Sequence, residues 1–306
     1  MTVSPRPLVL KFGGELLEDR AHLATVVAAV KALASRTAIV IVHGGGKEID
    51  AALKVAGLEK RQVDGLRITD EPTLDVVVSV LAGLVNTRFV ASLNTAGVAA
   101  VGLTGADAAC GRSSVAPPHR STGGGVVDLE RVGIPNADAD MRVLHTLVDG
   151  GFVPVVACIG LADDGRLLNV NADTLAGHLA ARLGARRLVI AGTTPGVLDE
   201  RGATLTVLEA AAVEQLVGGG TATAGMIAKL RACEHALAGG VDDVVIVDGR
   251  NAAALVGASE SAAPQMATRI TAGLPPSRLR RYGEPRHSSS ENDASGGGKA
   301  CATTAR

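Results

Sequence analysis

The sequence predicts an α/β fold built on a parallel sheet. Residues 8–10 form a continuous apolar run that stops at Lys11 and a glycine pair, and residues 38–42 form a second run that stops at His43 and three glycines. A helical periodicity follows each run. Continuous apolar runs bounded by glycine suit strands covered on both faces. Two strand-glycine-helix units in succession set both glycine turns at the carboxyl edge of one sheet, where open α/β folds bind ligands.

A chain of 306 residues with 47% hydrophobic content has room for one large α/β domain or two smaller lobes, and disorder throughout is excluded. Three Phe, one Tyr and no Trp leave the core to Val, Leu, Ile and Ala, and disfavour recognition of single-stranded nucleic acid by base stacking. A net charge of -1 gives no field that would collect nucleic acid or a membrane surface, so small molecules are the expected partners. Cys110, Cys158, Cys233 and Cys301 show no CxxC spacing. Neither a zinc knuckle nor a disulfide framework is indicated, no metal site is expected, and the thiols read as reduced in a cytoplasmic protein. The segment before Leu8 is too short and polar for a signal peptide, and no apolar run reaches membrane-spanning length.

Taken in order, the first strand ends at Lys11, and Gly13 and Gly14 remove the Cβ where the chain must turn into a helix marked by Leu16, Leu17, Leu23, Val26, Val27 and Val30. Backbone N–H groups at such a turn face an anion readily, with the Lys11 ammonium beside them; a plain tight turn with a solvated lysine is the other reading. His43-Gly44-Gly45-Gly46 repeats the device before a helix that begins near Lys47. Arg67, flanked by Leu66 and Ile68, suits bidentate binding of a carboxylate or phosphate, or a surface ion pair. Residues 71–97 are helical with a broad apolar face from Val76 to Val85, wide enough to pack on a second subunit. Strands are expected at 99–103 and 152–157, a loop or hairpin at 113–125 with an antiparallel partner at 126–132, and an amphipathic helix at 141–149.

Asn169, Asn171 and Asp173 place three polar groups in five residues ahead of a helix carrying Leu175, Leu179 and Leu183, more than one helix cap requires. A fresh strand at 188–191 runs into Gly192-Thr193-Thr194-Pro195-Gly196 and Leu198, and a lobe boundary is set near residue 186. Residues 205–217 read as helix and 218–223 as a Gly/Thr loop. Lys229 opens the next helix, a strand covers 244–247, and the Ser, Gly and Pro-rich stretch 273–306 is expected to be a disordered tail.

With these pieces in sequence, the chain resembles acetylglutamate kinases of the amino acid kinase family over residues 8–270. The likeness rests on Lys-Phe-Gly-Gly at Lys11, His-Gly-Gly-Gly at His43, Gly-Leu-Arg-Ile-Thr at Gly65, Asn-Val-Asn-Ala-Asp at Asn169 and Gly-Met-Ile-Ala-Lys at Gly225. The resemblance implies an open three-layer αβα sandwich with a mostly parallel sheet of about eight strands. Residues 1–186 would form an N-terminal lobe for N-acetyl-L-glutamate and dimerisation, and 187–272 a C-terminal lobe for ATP and its Mg²⁺. By the same resemblance Lys11 and Lys229 neutralise charge on the transferring phosphoryl group and Asp173 organises them. Gly45, Gly46, Arg67 and Asn169 contact the substrate, and Gly13, Gly14, Thr193, Thr194, Gly196, Leu198, Thr221 and Thr223 match nucleotide-binding positions. Thr193, Ala224 and Ala267 depart from the family pattern. The short segment before Leu8 lacks the N-terminal helix that accompanies arginine-inhibited hexamers, so a homodimer insensitive to arginine is expected.

The implied reaction is transfer of the ATP γ-phosphate to the γ-carboxylate of N-acetyl-L-glutamate, giving N-acetyl-L-glutamyl 5-phosphate in arginine biosynthesis. Two other readings stand beside it: a kinase for an acetylated or carrier-linked aminoadipate, and a nucleotide-binding regulatory protein without turnover. A dinucleotide-dependent oxidoreductase is disfavoured, since neither glycine run is GxGxxG.

Overall fold

The computed structural model describes residues 6–273 apart from 122, 200, 219–223, 263 and 265. Thr221, Thr223 and the tail after Gly273 therefore lie outside the described residues. From β1 (Leu8–Phe12) the chain turns at Gly13 and Gly14 into α1 (Glu15–Glu18) and α2 (Arg20–Ala34), which Asp19 caps by accepting from the N–H groups of Ala21 and His22. Next come β2 (Ile39–His43), α3 (Gly46–Val55) and a hairpin of β3 (Gln62–Val63) and β4 (Leu66–Arg67). The hairpin turns on Asp64 and Gly65 at φ of 46° and 77°, the backbone that Asp-Gly supplies most readily. A long helix follows in three parts: α4 (Glu71–Val78), a π-helical stretch (Ser79–Val85) and α5 (Asn86–Thr95). After it run β5 (Ala100–Thr104), β6 (Ser113–Val115), β7 (His119–Arg120), β8 (Val126–Val127), β9 (Val132–Pro135), α6 (Arg142–Asp149), β10 (Val153–Ala157), β11 (Ile159–Leu161) and β12 (Leu167–Val170). The remainder is α7 (Ala172–Arg182), β13 (Arg187–Gly192), β14 (Val207–Glu209), α8 (Ala210–Gly218), α9 (Ala224–Ala238), β15 (Asp243–Asp248), α10 (Ala252–Glu260) and β16 (Ala267–Thr271).

Eight strands form one sheet in the order β14-β16-β15-β13-β1-β2-β10-β5, parallel throughout except where β16 runs antiparallel to β15. The central strands are buried along their whole length because α2, α5 and α10 cover one face and α6, α7 and α9 the other. This is the three-layer sandwich that the family resemblance implies. With few aromatics, the core is aliphatic around an edge-to-face pair, Phe12 and Phe89, with ring centroids 5.8 Å apart. Residues 71–95 make a helical stretch long and apolar enough by composition to cross a bilayer, but Val77, Leu81, Val85, Phe89 and Leu93 are buried in the core, which accounts for its apolar side. A second sheet, β11-β12-β9-β6, and the hairpins β3–β4 and β7–β8 complete the described fold.

Several elements differ from the sequence reading. Residues 207–209, read as helix, form strand β14, because Leu208 finds a parallel register opposite Ile270; tertiary pairing overrides the local pattern. Leu167–Val170, to which the sequence reading assigns no element, is strand β12. The helix carrying Lys229 begins at Ala224, so Lys229 lies inside it rather than opening it. α10 went unpredicted because it is apolar nearly all round and shows no clear period.

At the amino ends of β13 and β15 the Arg187 guanidinium meets the Asp243 carboxylate in two contacts of 2.5 and 2.7 Å, and Arg269 Nε donates to the same carboxylate at 2.6 Å. Arg187 also donates to the carbonyls of Ala258 and Ser261 at 2.8 Å, which ties α10 to the sheet. Burial would push Asp243 up, but the two guanidiniums hold it below the ordinary carboxylate range. Asp243→Asn, which strips a buried Arg187 of its counter-charge, is expected to cost about 3–5 kcal/mol in a urea titration; a loss under about 1 kcal/mol would mean that the network is not needed for stability.

On α7, His178 is 4% exposed and stacks on His235 of α9 with ring centroids 5.9 Å apart. Burial, with the neighbouring His235 and Arg182, lowers His178 from 6.5 to about 4. The unfolded chain therefore binds a proton that the folded chain refuses, and stability falls as pH drops from 6.5 towards 4. His178→Leu is expected to remove about 2 kcal/mol of that decline, read from urea midpoints at successive pH values; an unchanged slope would count against this assignment.

Candidate active site

Parallel strands deliver β1 and β2 to the same sheet edge, with Phe12 in register with His43. The ladder continues into both turns: the Gly13 N–H donates to the Ala191 carbonyl at 3.0 Å and the Gly44 N–H to the Phe12 carbonyl at 3.1 Å. The turns then touch. A Cβ on Gly14 would lie 2.6 Å from the Cα of Gly45, and one on Gly45 would lie 2.9 Å from Leu81 Cδ2. No side chain larger than hydrogen fits between these backbones, so bare backbone forms this wall of the cleft.

Beneath that wall lies a buried ion triad. Lys11 Nζ stands 2.8 Å from Asp173 Oδ1, and Lys229 Nζ stands 3.6 Å from Asp173 Oδ2. Lys11 comes from β1, Lys229 from α9, and Asp173 from the first turn of α7, where Asn171 caps the helix by accepting from the N–H groups of Asp173 and Thr174. Asp173 is 6% exposed, and burial alone would raise its pKa; Lys11 and Lys229 together hold it below the usual range. Burial would likewise lower Lys11, and Asp173 more than reverses this. One carboxylate between two ammoniums leaves a net positive charge, suited to an anion at the open side. Cys158, at the end of β10, is pushed up to about 12 by burial and stays a thiol beside this charge.

Arg67 on β4 closes another side. Its Nη2 donates to an Asp50 carboxylate oxygen and, at 3.4 Å, to the Gly46 carbonyl, while Nη1 is buried without a hydrogen-bond partner. Asp50 is held in turn by Lys60 at 2.7 Å. A buried guanidinium N–H lacking an acceptor is costly unless an anion arrives to fill it. Asn169 on β12 donates to Thr69 Oγ1 at 3.0 Å.

Lys11, Gly13, Gly14, Gly45, Gly46, Arg67, Asn169, Asp173 and Lys229 all line one cleft of about 370 Å³. Thr193, Thr194, Gly196 and Leu198 do not line it; they follow β13, the strand beside β1. There the Thr193 carbonyl accepts from Arg250 at 3.0 Å, the Val197 N–H donates to Thr268 Oγ1 at 2.8 Å, and Gly196 takes a φ of 123°. The cleft also contains Glu15, Glu18, Lys47, Asp50, Cys158 and Asn171, which sequence reasoning passed over as site residues. Glu15 was within reach, since it directly follows the glycine pair. Asp50 was not, because only the folded β3–β4 hairpin brings Arg67 against it.

The model of the amino acid kinase family matches residues 6–248. An acetylglutamate kinase of Rhizorhabdus wittichii is 42% identical over 79% of this chain and 82% of that protein, and one of Novosphingobium aromaticivorans is 39% identical over 80% and 84%. Among solved structures, the N-acetylglutamate synthase of Neisseria gonorrhoeae complexed with coenzyme A and N-acetyl-glutamate superposes with a TM-score of 0.75 at 24% identity, covering 88% of this chain and 60% of that one, a likeness of fold. The five sequence motifs, the sandwich they build and these relatives agree: the chain belongs to the amino acid kinase family, on its acetylglutamate kinase branch.

Proposed function

We propose that this protein transfers the γ-phosphate of ATP to the γ-carboxylate of N-acetyl-L-glutamate, producing N-acetyl-L-glutamyl 5-phosphate for arginine biosynthesis. The observation that carries the reading is the triad of Lys11, Asp173 and Lys229 beside a wall of glycine backbone. The acceptor carboxylate is already ionised at neutral pH, so the chemistry needs no base; what opposes it is repulsion between two anions. Lys11 and Lys229 offset that repulsion, Asp173 holds both ammoniums in place, and Gly14 and Gly45 offer backbone donors in line with them. The unpartnered Nη1 of Arg67 takes the substrate's α-carboxylate, and Asn169, Gly45 and Gly46 complete its contacts.

ATP enters with Mg²⁺ as part of the substrate, and the ion neutralises phosphate charge during transfer. The glycine wall and the two lysines fit a phosphate chain, and Glu15 and Glu18 in the cleft fit the ion's preference for oxygen. Residues 187–272, with Thr193, Thr194, Gly196 and Leu198, bind the nucleotide in this reading, and residues 1–186 bind the acyl acceptor. Assembly is as a homodimer through the outward face of the helix at 71–95, where Leu84 is 56% exposed. The buried free thiols Cys110, Cys158 and Cys233 suit the cytoplasm. The relatives' shared activity favours N-acetylglutamate over a longer aminoadipate, which differs from it by one methylene.

Hydroxylamine trapping of the acyl phosphate, with N-acetylglutamate, glutamate, aspartate and N-acetyl-aminoadipate compared, tests this reading directly. Strong preference for N-acetylglutamate is expected, with kcat reduced about 10²–10³-fold in Lys11→Ala and in Lys229→Ala. Turnover within a few-fold of the unmodified protein in both variants would remove the proposed roles. Arg67→Leu should raise the KM for N-acetylglutamate about 10²-fold and leave that for ATP nearly unchanged; a larger effect on ATP would place the guanidinium on the wrong substrate.

A further inference from the structure

His43 belongs to the second glycine motif, yet the transfer chemistry above gives it no part. It is fully buried at the end of β2, in a T-shaped contact with Phe89 whose ring centroid is 6.4 Å from its own. Its Nε2 lies 3.1 Å from the Asn86 side-chain nitrogen, whose two hydrogens are shared with the carbonyls of Val155 at 2.9 Å and Leu103 at 3.2 Å. Two carbonyl oxygens fix that amide nitrogen as the donor, because the flipped amide would set oxygen against oxygen. An amide nitrogen accepts nothing, so a proton on Nε2 would be buried without an acceptor; the ring proton belongs on Nδ1, which faces the Gly44 carbonyl at 3.2 Å. Burial lowers the imidazole from 6.5 to about 4 and keeps it neutral, as this arrangement requires.

The Gly44 carbonyl and the Gly45 N–H share one peptide plane and, across a trans bond, point in opposite directions. Holding that oxygen against His43 turns the Gly45 N–H away from the ring, and Gly14 packs on this nitrogen: a Cβ there would lie 3.0 Å from it. Asn86 is fixed from its other side by strand β5, where a Cβ on Gly102 would lie 2.3 Å from Asn86 Oδ1. We propose that His43 is a positioning residue for phosphoryl transfer, aiming the Gly45 N–H into the cleft through the Gly44 carbonyl while Asn86 holds the ring from behind. The role rests on the kinase reading above and adds to it a residue that touches neither substrate.

Two substitutions separate the ring's two contacts. His43→Asn sets an amide nitrogen near the Nδ1 position and keeps a donor for Gly44; His43→Gln sets its amide near Nε2, keeps a partner for Asn86 and loses that donor. In the hydroxamate assay His43→Gln is expected to lose about 10–100-fold in kcat with both KM values within about threefold, and His43→Asn to stay within about fivefold of the unmodified protein. Equal losses in the two variants, or a loss confined to KM, would overturn the proposal, and thermal midpoints recorded beside them separate a general loss of fold. The ¹⁵N spectrum of the His43 imidazole in the unmodified protein reads the tautomer without turnover: a proton on Nδ1 is expected, and one on Nε2 would overturn the geometry. Failure of the unmodified protein to form any acyl phosphate would instead count against the kinase reading, and the tautomer would still decide the hydrogen-bond arrangement.

Discussion

A carboxylate withdrawn from water costs several kcal/mol unless its charge is matched, and Asp173 is withdrawn almost completely. Its match comes from opposite parts of the chain: Lys11 near the beginning and Lys229 more than two hundred residues later. Packing of α7 on β1 and on α9 is thus tied to a charge balance, and neither helix can shift without exposing an unpaired ion in the core. The balance is left deliberately uneven, with two positive groups to one negative, so that the polypeptide satisfies its own interior and still presents attraction at the mouth of the cleft.

The parallel sheet divides the molecule by strand polarity. At the carboxyl edge lie the glycine turns, the triad and the backbone of residues 192–198; at the amino ends of β13 and β15 lies the Arg187, Asp243 and Arg269 network. Both are dense in charge, but the second is closed, with each guanidinium answered by carboxylate or carbonyl oxygens. Arg67, at the cleft, keeps a nitrogen unanswered. That unanswered nitrogen, on a guanidinium that lines the cleft, is where the proposed substrate carboxylate would bind.

Much of this was legible in the sequence because it is local. Apolar runs ending in glycine gave β1 and β2, and three polar residues in the stretch 169–173 exceeded the needs of a cap: Asn171 serves as the cap, and it lines the cleft together with Asn169 and Asp173. What stayed hidden depends on distant partners. β14 exists only because β16 lies beside it, Asp50 meets Arg67 only after the hairpin folds, and the importance of Asn86 follows from a histidine forty-three residues away. The roles proposed for Lys11, Lys229 and Asp173 rest on resemblance to a family rather than on spacing, and the fold supplied the distances.

The π-helical stretch at 79–85 stores information in length rather than in residue identity. Such a turn is an α-helix that has absorbed an extra residue. On one side of it Leu81 and Val85 press on Gly45, and immediately after it Asn86 reaches His43. Loss of one residue would let the helix relax to regular winding and swing everything beyond it by about 100°, so each side chain could survive unchanged and still face the wrong way. A single-codon deletion in this stretch would therefore disconnect the helix from the glycine loop and from His43 without altering any of the side chains that make those contacts.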